Sequence, residues 1–459
     1  MRRSTESSPP WHRLAALAPL LVAFFYIPLA FGGTTPLTSL VFDWLLFYGF
    51  SFWLCVLVLE RRLPRMSWYL AVPLVFLVLV GLGHFFNARS YFDPVDWRFL
   101  PREDHLSGLP GSVDAATSLP FLRHMAAMLL AGLALRDALA GSRVRWLVFR
   151  VVALSGLVIA TIGIYQKASN AGMMLWGIPL EYERSFFAAF RYHANAASFL
   201  NLSWPAALAV WLRSRMMRPG SIVSSLDFCV FFLTLAAVFV NTSKAGQILG
   251  LLAVGLAAWR FRRELLIPVT SRAGGIVLGV FVAGIVLVLV FPAVYLSFSK
   301  WSQLVEHGGS FKGRIMAYGA CLEAIREAGL FGNGAGTFSI VFPIYTLDLG
   351  EDFYGFWRFA HQDWLQGIIE WGWLGFAAWA AIFSGALFRL GRRAREARKD
   401  DQPEITSSIA LLALGIVLLH ALVDFPFQIP AIQWLVVFYL ALAWSRPYDP
   451  RTKDQGPGV

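Results

Sequence analysis

Continuous apolar runs of about 20 residues recur along nearly the whole chain, and each run is long enough to cross the hydrocarbon core of a bilayer. Of the 459 residues, 57% are hydrophobic and only 15% are charged, whereas a soluble domain carries about 25% charged residues. A transmembrane barrel would instead show short segments of alternating polarity. The sequence therefore predicts an all-α, polytopic membrane protein.

The apolar runs predict about twelve transmembrane helices, which together form one integral membrane domain over residues 1–459. Their expected bounds are 14–31, 37–59, 68–86, 119–140, 146–165, 191–212, 224–241, 245–259, 274–296, 362–388, 406–423 and 428–445. Asp43, Arg123 and Asp227 lie within or near these spans, and we expect them to form structural pairs.

Most of the 39 Lys and Arg residues fall in alternate loops, such as 60–67 and 389–399. Loops rich in Lys and Arg stay on the cytoplasmic side of a membrane. Both termini are therefore expected to be cytoplasmic, and residues 446–459 are expected to form a disordered cytoplasmic tail. The formal charge of +11 is then a topology signal, and we expect no nucleic-acid partner.

The longest loop between spans, 297–360, is expected to lie outside the cytoplasm. Four of its side chains follow a helical spacing: Ile315, Tyr318, Leu322 and Ile325. Gly329 follows as a helix cap, so segment 313–328 is predicted to be an amphipathic helix at the membrane surface. The glycine-rich segment GNGAGTF comes next. It is predicted to be a flexible turn and not a nucleotide loop, because no Lys-Ser or Lys-Thr follows it.

His361 stands at the outer end of the tenth span. A helix N-terminus disfavours nearby positive charge, so this histidine is expected to stay neutral and to accept a proton as a general base. The alternative is an interfacial histidine that only anchors the span. Asp424 and His420 lie at the outer end of the eleventh span, where they either close the site or cap the helix.

Cationic and polar residues near span ends predict an anion site. Arg314 opens the amphipathic helix, where free N–H groups favour phosphate. Arg191 and Lys244 stand at the outer rim and could converge with Arg314 on one anionic group, and His193 and Asn195 begin the sixth span beside them. The alternative is ordinary snorkelling of long side chains at helix ends.

Motifs for metals and cofactors are absent from the sequence. It contains no HExxH, no paired cysteines and no Asp-x-Asp. We therefore predict no metal site and no cofactor.

Four stretches of sequence carry a resemblance to a known family. They are YHANAASFLNLSWPAAL (192–208), NTSKAGQILGLLAVG (241–255), GRIMAYGACLEAIREAGLFGNGAGTF (313–338) and HQDWLQGIIEWGWLG (361–375). In this order they resemble the O-antigen ligase and O-antigen polymerase family of bacterial envelope glycosyltransferases. The ending HALVDFPFQIPA (420–431) is similar to members that are linked to exopolysaccharide.

The resemblance implies a bacterial inner-membrane protein with one large periplasmic loop. It implies transfer of a glycan from an undecaprenyl diphosphate-linked oligosaccharide to an acceptor glycan or a lipid A core. Membrane lipids and a chain-length regulator protein are the other expected partners. A flippase for the same lipid-linked glycan is the alternative, but a flippase should show repeat symmetry and a cation-lined central cavity.

The resemblance also assigns roles to single residues. His361 matches the family's loop-end histidine and Arg314 its Gly-Arg arginine, so these two are the expected catalytic residues. Lys244 stands where members usually have arginine, and Gln362 stands where many have asparagine. Arg191, Lys244, His193, Asn195 and Asp424 are the expected diphosphate- and substrate-binding residues, and polymerase is favoured over ligase by the 420–431 ending.

Overall fold

The computed structural model describes residues 11–64, 66–178, 185–265, 309–350, 353, 357–399 and 404–445. This part of the chain is mostly helical, with one antiparallel pair of strands, β1 (Ser90–Asp93) and β2 (Arg98–Pro101). The helices are α1 (Trp11–Leu29), α2 (Pro36–Leu59), α3 (Trp68–Phe86), α4 (Ala115–Ala138), α5 (Ser142–Ala168), α6 (His193–Met217), α7 (Ile222–Val240), α8 (Lys244–Arg260), α9 (Arg262–Leu265), α10 (Gly309–Ala328), α11 (Phe338–Val341), α12 (Asp363–Lys399), α13 (Ile405–His420) and α14 (Pro430–Trp444).

The predicted membrane spans correspond to these helices. Every predicted span except 274–296, which lies outside the described residues, coincides with a helix. Seven of the described helices are long and apolar enough to cross a membrane, and α13 and α14 are shorter apolar helices. The prediction of a polytopic all-α membrane protein is confirmed. The tail 446–459 also lies outside the described residues.

Helix α6 is buried on all sides in the centre of the bundle, where it packs against α5, α7 and α13. Its small and polar residues let neighbouring backbones come close, as is usual in membrane interiors. Asn201, for example, donates a hydrogen bond from its side chain to the carbonyl of Gly246 in α8 (2.9 Å). Helix α6 begins at His193, so this residue lies at one end of the bundle, among the ends of the neighbouring helices.

Helix α12 is broken at Gly372, although the sequence predicted one continuous span. Gly372 has φ 65° and ψ −177°, a backbone conformation that glycine tolerates and other residues rarely adopt. The break frees backbone groups on both sides, and residues 329–334 bond to them. These bonds run from Asn333 N to Ile369 O (3.0 Å), from Gly334 N to Glu370 O (2.9 Å), from Trp373 N to Gly329 O (3.4 Å) and from Leu374 N to Leu330 O (3.0 Å).

The glycine-rich segment 332–338 is therefore a packed turn, and the prediction of a flexible turn is corrected. Its glycines lie against the break in α12, and a Cβ atom on Gly332 would come within 2.4 Å of the carbonyl oxygen of Glu370. The buried carboxylate of Glu370 accepts the backbone N–H groups of Gly336 and Phe338. Broken membrane helices are stable when neighbouring segments pair the freed backbone groups in this way.

Helix α10 contains the amphipathic helix predicted at 313–328, but of the predicted face it buries only Ile325 fully and Tyr318 in part. Ile315 and Leu322 are exposed. The buried side chains are mostly small, and they pack with residues of α12: Ala317, Ala320, Cys321, Ala324 and Ile325. Small side chains allow the two helices to approach closely, so α10 packs against α12. Arg314 lies near the end of the bundle.

The expected pairing of ionisable groups inside the spans is found for Asp43. This fully buried carboxylate of α2 accepts a hydrogen bond from Nε of Arg123 (2.8 Å) and contacts Nδ1 of His124 (2.5 Å), both in α4. A buried charge without such partners would be strongly destabilising. Asp227 differs, because its Oδ2 has no hydrogen-bond partner among the described residues.

Candidate active site

His361 and Asp424 form a hydrogen-bonded pair where α12 begins and the segment after α13 turns. Nδ1 of His361 lies 3.2 Å from Oδ1 of Asp424, and the histidine side chain is 27% exposed while the aspartate side chain is 5% exposed. Because an ionised carboxylate can only accept, Nδ1 donates, and Nε2 carries the free electron pair of the neutral ring. This is the arrangement that orients a histidine to act as a base.

The backbone of His361 is strained. Its φ is +53°, which non-glycine residues adopt rarely and at an energetic cost. The hydroxyl of Tyr318 in α10 donates a hydrogen bond to the carbonyl of His361 (3.0 Å). The turn is thus held by α10 on one side and by Asp424 on the other, and strain of this kind is common at functional sites.

Arg314 joins the same cluster from the second turn of α10, because the helix begins at Gly309 and not, as predicted, beside Arg314. Its Nη1 donates to the carbonyl of Val423 (2.9 Å), and its Nη2 donates to the hydroxyl of Tyr192 (3.3 Å). The guanidinium therefore contacts the residue next to Asp424. The structure brings His361, Asp424 and Arg314 together, whereas the sequence left open whether Arg314 and His361 meet and whether Asp424 closes the site or caps the helix.

Burial and neighbouring charged or hydrogen-bonding groups have opposite effects on the pKa values of Asp424 and Arg314. Burial acts to raise the pKa of Asp424, but the hydrogen bond from His361 and the nearby His420, His361 and Arg314 outweigh it and lower the pKa. Burial acts to lower the pKa of Arg314, but the neighbouring Tyr192, Asp424 and Tyr318 raise it. Both groups therefore stay charged near neutral pH, and the cluster contains a fixed carboxylate beside a fixed cation.

Tyr192 belongs to the site and was not predicted from the sequence. Its ring stacks on Phe425 at 5.7 Å and meets the His361 ring edge-on at 6.3 Å. Burial, followed by the charge of Asp424, raises the pKa of its phenol, so the hydroxyl remains a donor. The signal was present in its position between Arg191 and His193, but aromatic residues at span ends are common for other reasons.

The other predicted binding residues lie nearby with different contacts. The guanidinium of Arg191 lies over the ring of Phe31 (5.8 Å). Nδ1 of His193 lies 3.0 Å from the carbonyl of Ser185, and Asn195 is buried in the first turn of α6. The structure thus brings Arg191 to Phe31 and not into the bonds that join Arg314, Tyr192 and Asp424.

Lys244 is the first residue of α8. The side chain of Asn241, just before α8, connects this end of the helix to the site. The amide of Asn241 donates to the carbonyl of His193 (2.9 Å), which follows Tyr192 in the chain. The N-cap Ser243 accepts from the N–H of Gly246 (3.2 Å). The rim residues predicted on α6 and α8 therefore share one end of the bundle.

Aromatic rings line the side of His361 that faces the described part of the long loop. Trp357 meets the His361 ring edge-on at 5.5 Å and stacks on Phe353 at 5.1 Å, and Phe425 meets His361 edge-on at 4.7 Å. Aromatic faces of this kind can stack on the apolar faces of sugar rings. Across the part of the chain that the structure describes, no group of three or more His, Cys, Asp or Glu side chains could hold a metal ion.

The comparisons with known proteins give one family match. Residues 229–380 match the family model described as O-antigen ligase, and this range contains both Arg314 and His361. No curated protein matches the chain.

Proposed function

We propose, from the match of residues 229–380 to the family model described as O-antigen ligase, that this chain is a glycosyltransferase of the O-antigen ligase and polymerase type in the bacterial inner membrane. In this proposal both termini are cytoplasmic and the active site faces the periplasm. The enzyme transfers a glycan from undecaprenyl diphosphate to a hydroxyl of an acceptor sugar. The observation that carries the proposal is the cluster of a histidine–carboxylate pair with an arginine, His361–Asp424 and Arg314.

His361 is the base in this mechanism. Nδ1 of His361 donates a hydrogen bond to the carboxylate of Asp424. This leaves Nε2 to accept the proton of the acceptor hydroxyl. The acceptor oxygen then forms a bond to the anomeric carbon of the donor while the bond from that carbon to the diphosphate oxygen breaks. Attack opposite the leaving group inverts the configuration of the anomeric carbon. A positioned general base contributes about 10²- to 10⁴-fold to such a step.

Arg314 is the main holder of the leaving diphosphate. Its guanidinium is charged, lies on the second turn of α10 and is oriented by Tyr192 and by the carbonyl of Val423. As the carbon–oxygen bond breaks, negative charge grows on the diphosphate, and a fixed cation stabilises it. Arg191 and Lys244 are proposed to add positive charge at the same rim once substrate is bound.

The proposal requires neither a metal ion nor a nucleotide. Diphosphate is a good leaving group, and the bond between glycan and carrier supplies the driving force. Cationic side chains therefore suffice to neutralise the leaving group in this mechanism. The rings of Trp357, Phe353 and Phe425 are proposed to support the sugar units next to the reacting carbon.

We propose polymerisation of a polysaccharide as the reaction within this family, because segment 420–431 is similar to that of members linked to exopolysaccharide. The acceptor is then the growing glycan. Ligation would use a lipid A core as acceptor with the same base and the same cations. The two reactions differ in products that an envelope preparation can distinguish.

The test is complementation of a null strain with the wild type, His361→Ala or Arg314→Ala, with envelope glycans separated on a gel. We expect neither variant to restore the glycans that the null strain lacks. Full activity of the His361 variant would contradict the mechanism. Arg326→Ala is the matched control, since Arg326 is an exposed arginine on the same helix, paired with Glu323. Immunoblots of membranes establish that all variants reach the same level.

The glycans of the null strain distinguish the reactions. Short, unpolymerised chains indicate a polymerase. Full-length chains that remain on the undecaprenyl carrier indicate a ligase. Carrier-linked glycan trapped on the cytoplasmic face would instead support the flippase alternative and contradict the proposed enzyme.

A further inference from the structure

We propose that Gln433 and Asp363 are positioning residues that hold the segment carrying Asp424, and that His124 and Asp43 fix the amide of Gln433 from inside the bundle. The inference rests on the proposed function, because the position of Asp424 matters only if Asp424 orients His361. It assigns a role to a polar network on α2, α4 and α14 that contributes no residue to the cluster around His361.

Segment 421–428 connects α13 to α14 and includes a short 3₁₀ turn, Pro426–Gln428. Both polar backbone atoms of Phe427, three residues after Asp424, are held by side chains. Nε2 of Gln433 donates to the carbonyl of Phe427 (2.6 Å), and the N–H of Phe427 donates to Oδ2 of Asp363 (2.8 Å). The segment is thus fixed from α14 on one side and from α12 on the other.

Asp363 makes two more bonds that bracket the same segment. Its backbone N–H donates to the carbonyl of Ala421 (2.9 Å), and its Oδ1 accepts from Nε2 of Gln428 (3.0 Å). Asp363 lies two residues after His361, so one residue ties the start of α12 to both ends of the segment. The side chain of Asp363 thus holds the part of the segment that follows Asp424, and its backbone N–H holds the part that precedes it.

The orientation of the Gln433 amide follows from its partners. A backbone carbonyl can only accept, so Nε2 of Gln433 must face Phe427, and Oε1 must accept from Nε2 of His124 (2.7 Å). The other ring nitrogen of His124 contacts Asp43 (2.5 Å). Each member of the chain thus fixes the orientation of the next, from α2 to the segment that carries Asp424.

The segment borders a cavity on one side, while the ring of Phe427 packs on Phe383 with centroids 5.5 Å apart. A mainly apolar cavity of about 280 Å³ lies among α3, α4, α12 and α14, and its lining includes His124, Asp363, Phe427, Gln428 and Gln433. On the side of this cavity, the polar contacts that hold the segment are the hydrogen bonds of Gln433 and Asp363.

The test compares variants of Gln433 that keep its size. Gln433→Met removes both hydrogen bonds, and Gln433→Glu keeps an acceptor for His124 but loses the donor for Phe427. The proteins are purified in detergent and assayed with lipid-linked glycan extracted from the null strain. We expect kcat to fall about 10-fold or more in both variants, because a displacement of about 1 Å can cost as much as 100-fold. We expect KM for the extracted glycan to change less than about threefold, since Arg314 is untouched.

A second pair of variants tests the other side of the segment. Asp363→Asn can still bond to Phe427 and, after rotation of the Gln428 amide, to Gln428, so we expect kcat within about threefold of wild type. Asp363→Leu loses both side-chain bonds and should lower kcat as Gln433→Met does. Thr234→Val is the control. It removes a buried hydrogen bond from Thr234 to the carbonyl of Val230 (2.7 Å) in α7 and should leave kcat unchanged.

A merely structural role would lower the melting temperature of the purified variants and leave kcat per folded molecule at the wild-type value. That result, or wild-type kcat in both Gln433 variants while His361→Ala is inactive, would overturn the inference and leave the proposed function standing. If wild type transfers no glycan from the extracted carrier, the proposed function is wrong, and the inference falls with it.

Discussion

Nδ1 of His361 lies 3.2 Å from Oδ1 of Asp424, and the aspartate is almost completely buried. The carboxylate thereby determines which ring nitrogen donates and which one is left to accept a proton. The two residues are 63 positions apart in the chain, and Asp363, two residues after His361, bonds to the segment that carries Asp424.

The first prediction concerns Asp424→Asn. An amide can still accept the N–H of Phe425, which bonds to Oδ1 of Asp424 (3.1 Å), so the fold should be retained. It no longer supplies a fixed charge to orient His361, and we expect the rate of glycan transfer to fall about 100-fold. Initial rates on extracted lipid-linked glycan measure the effect. Asp348→Asn, at an exposed acid of the same long loop, should be active, and a fully active Asp424→Asn enzyme would contradict the assigned role.

The second prediction concerns the shape of the Arg314 side chain. Arg314 donates in two directions, to Val423 and to Tyr192, and a lysine keeps the charge but cannot make both bonds from a planar group. We expect Arg314→Lys to raise KM for the lipid-linked donor or lower kcat, with a combined loss of about 10-fold in kcat/KM. Arg326→Lys on the exposed face of the same helix is the control. Equal losses in both variants would show that the effect is general to α10.

The third prediction follows from the lowered pKa of Asp424. A carboxyl group whose pKa is lower in the folded state stabilises the fold above its unfolded pKa of about 3.9, and this stabilisation is lost only as the pH falls through the folded value. The melting temperature of wild type should therefore be higher than that of Asp424→Asn, and this gap in melting temperature should not become smaller between about pH 8 and pH 5. A gap that closes within this range would mean that Asp424 takes up a proton there.

The sequence predicted the members of the site better than their contacts. His361 and Asp424 are ionisable residues at the ends of apolar runs, where each one is costly and therefore conspicuous, and Arg314 was singled out in the amphipathic helix of the long loop. Tyr192 was missed because aromatic residues are expected at every membrane interface. Arg191 was assigned by its charge and position, but it stacks on Phe31, and nothing local to residue 191 could predict a contact with residue 31.

Departures from the predicted fold arise from contacts between distant segments. The periodicity of residues 362–388 is helical throughout, and the break at Gly372 becomes stable only because segment 329–334 pairs the freed backbone groups. The face of α10 was predicted from Ile315, Tyr318, Leu322 and Ile325, whereas the buried face is made mostly of alanines and shares only Ile325 with that set. The alanines let α10 approach α12 closely, and the spacing of residues within α10 does not reveal that contact.

The last prediction tests the break in α12. Gly332 has φ +75°, and a Cβ atom there would lie 2.4 Å from the carbonyl oxygen of Glu370. We expect Gly332→Ala to destabilise the fold by about 2 kcal/mol, from backbone strain and displacement of α12. Gly319→Ala is the matched control, because Gly319 lies in α10 with nothing within 4 Å of the added carbon, and alanine favours the helix by up to about 1 kcal/mol. Thermal unfolding in detergent should therefore give a lower melting temperature than wild type for Gly332→Ala only. Equal melting temperatures for both variants would mean that the turn is not tightly packed against α12.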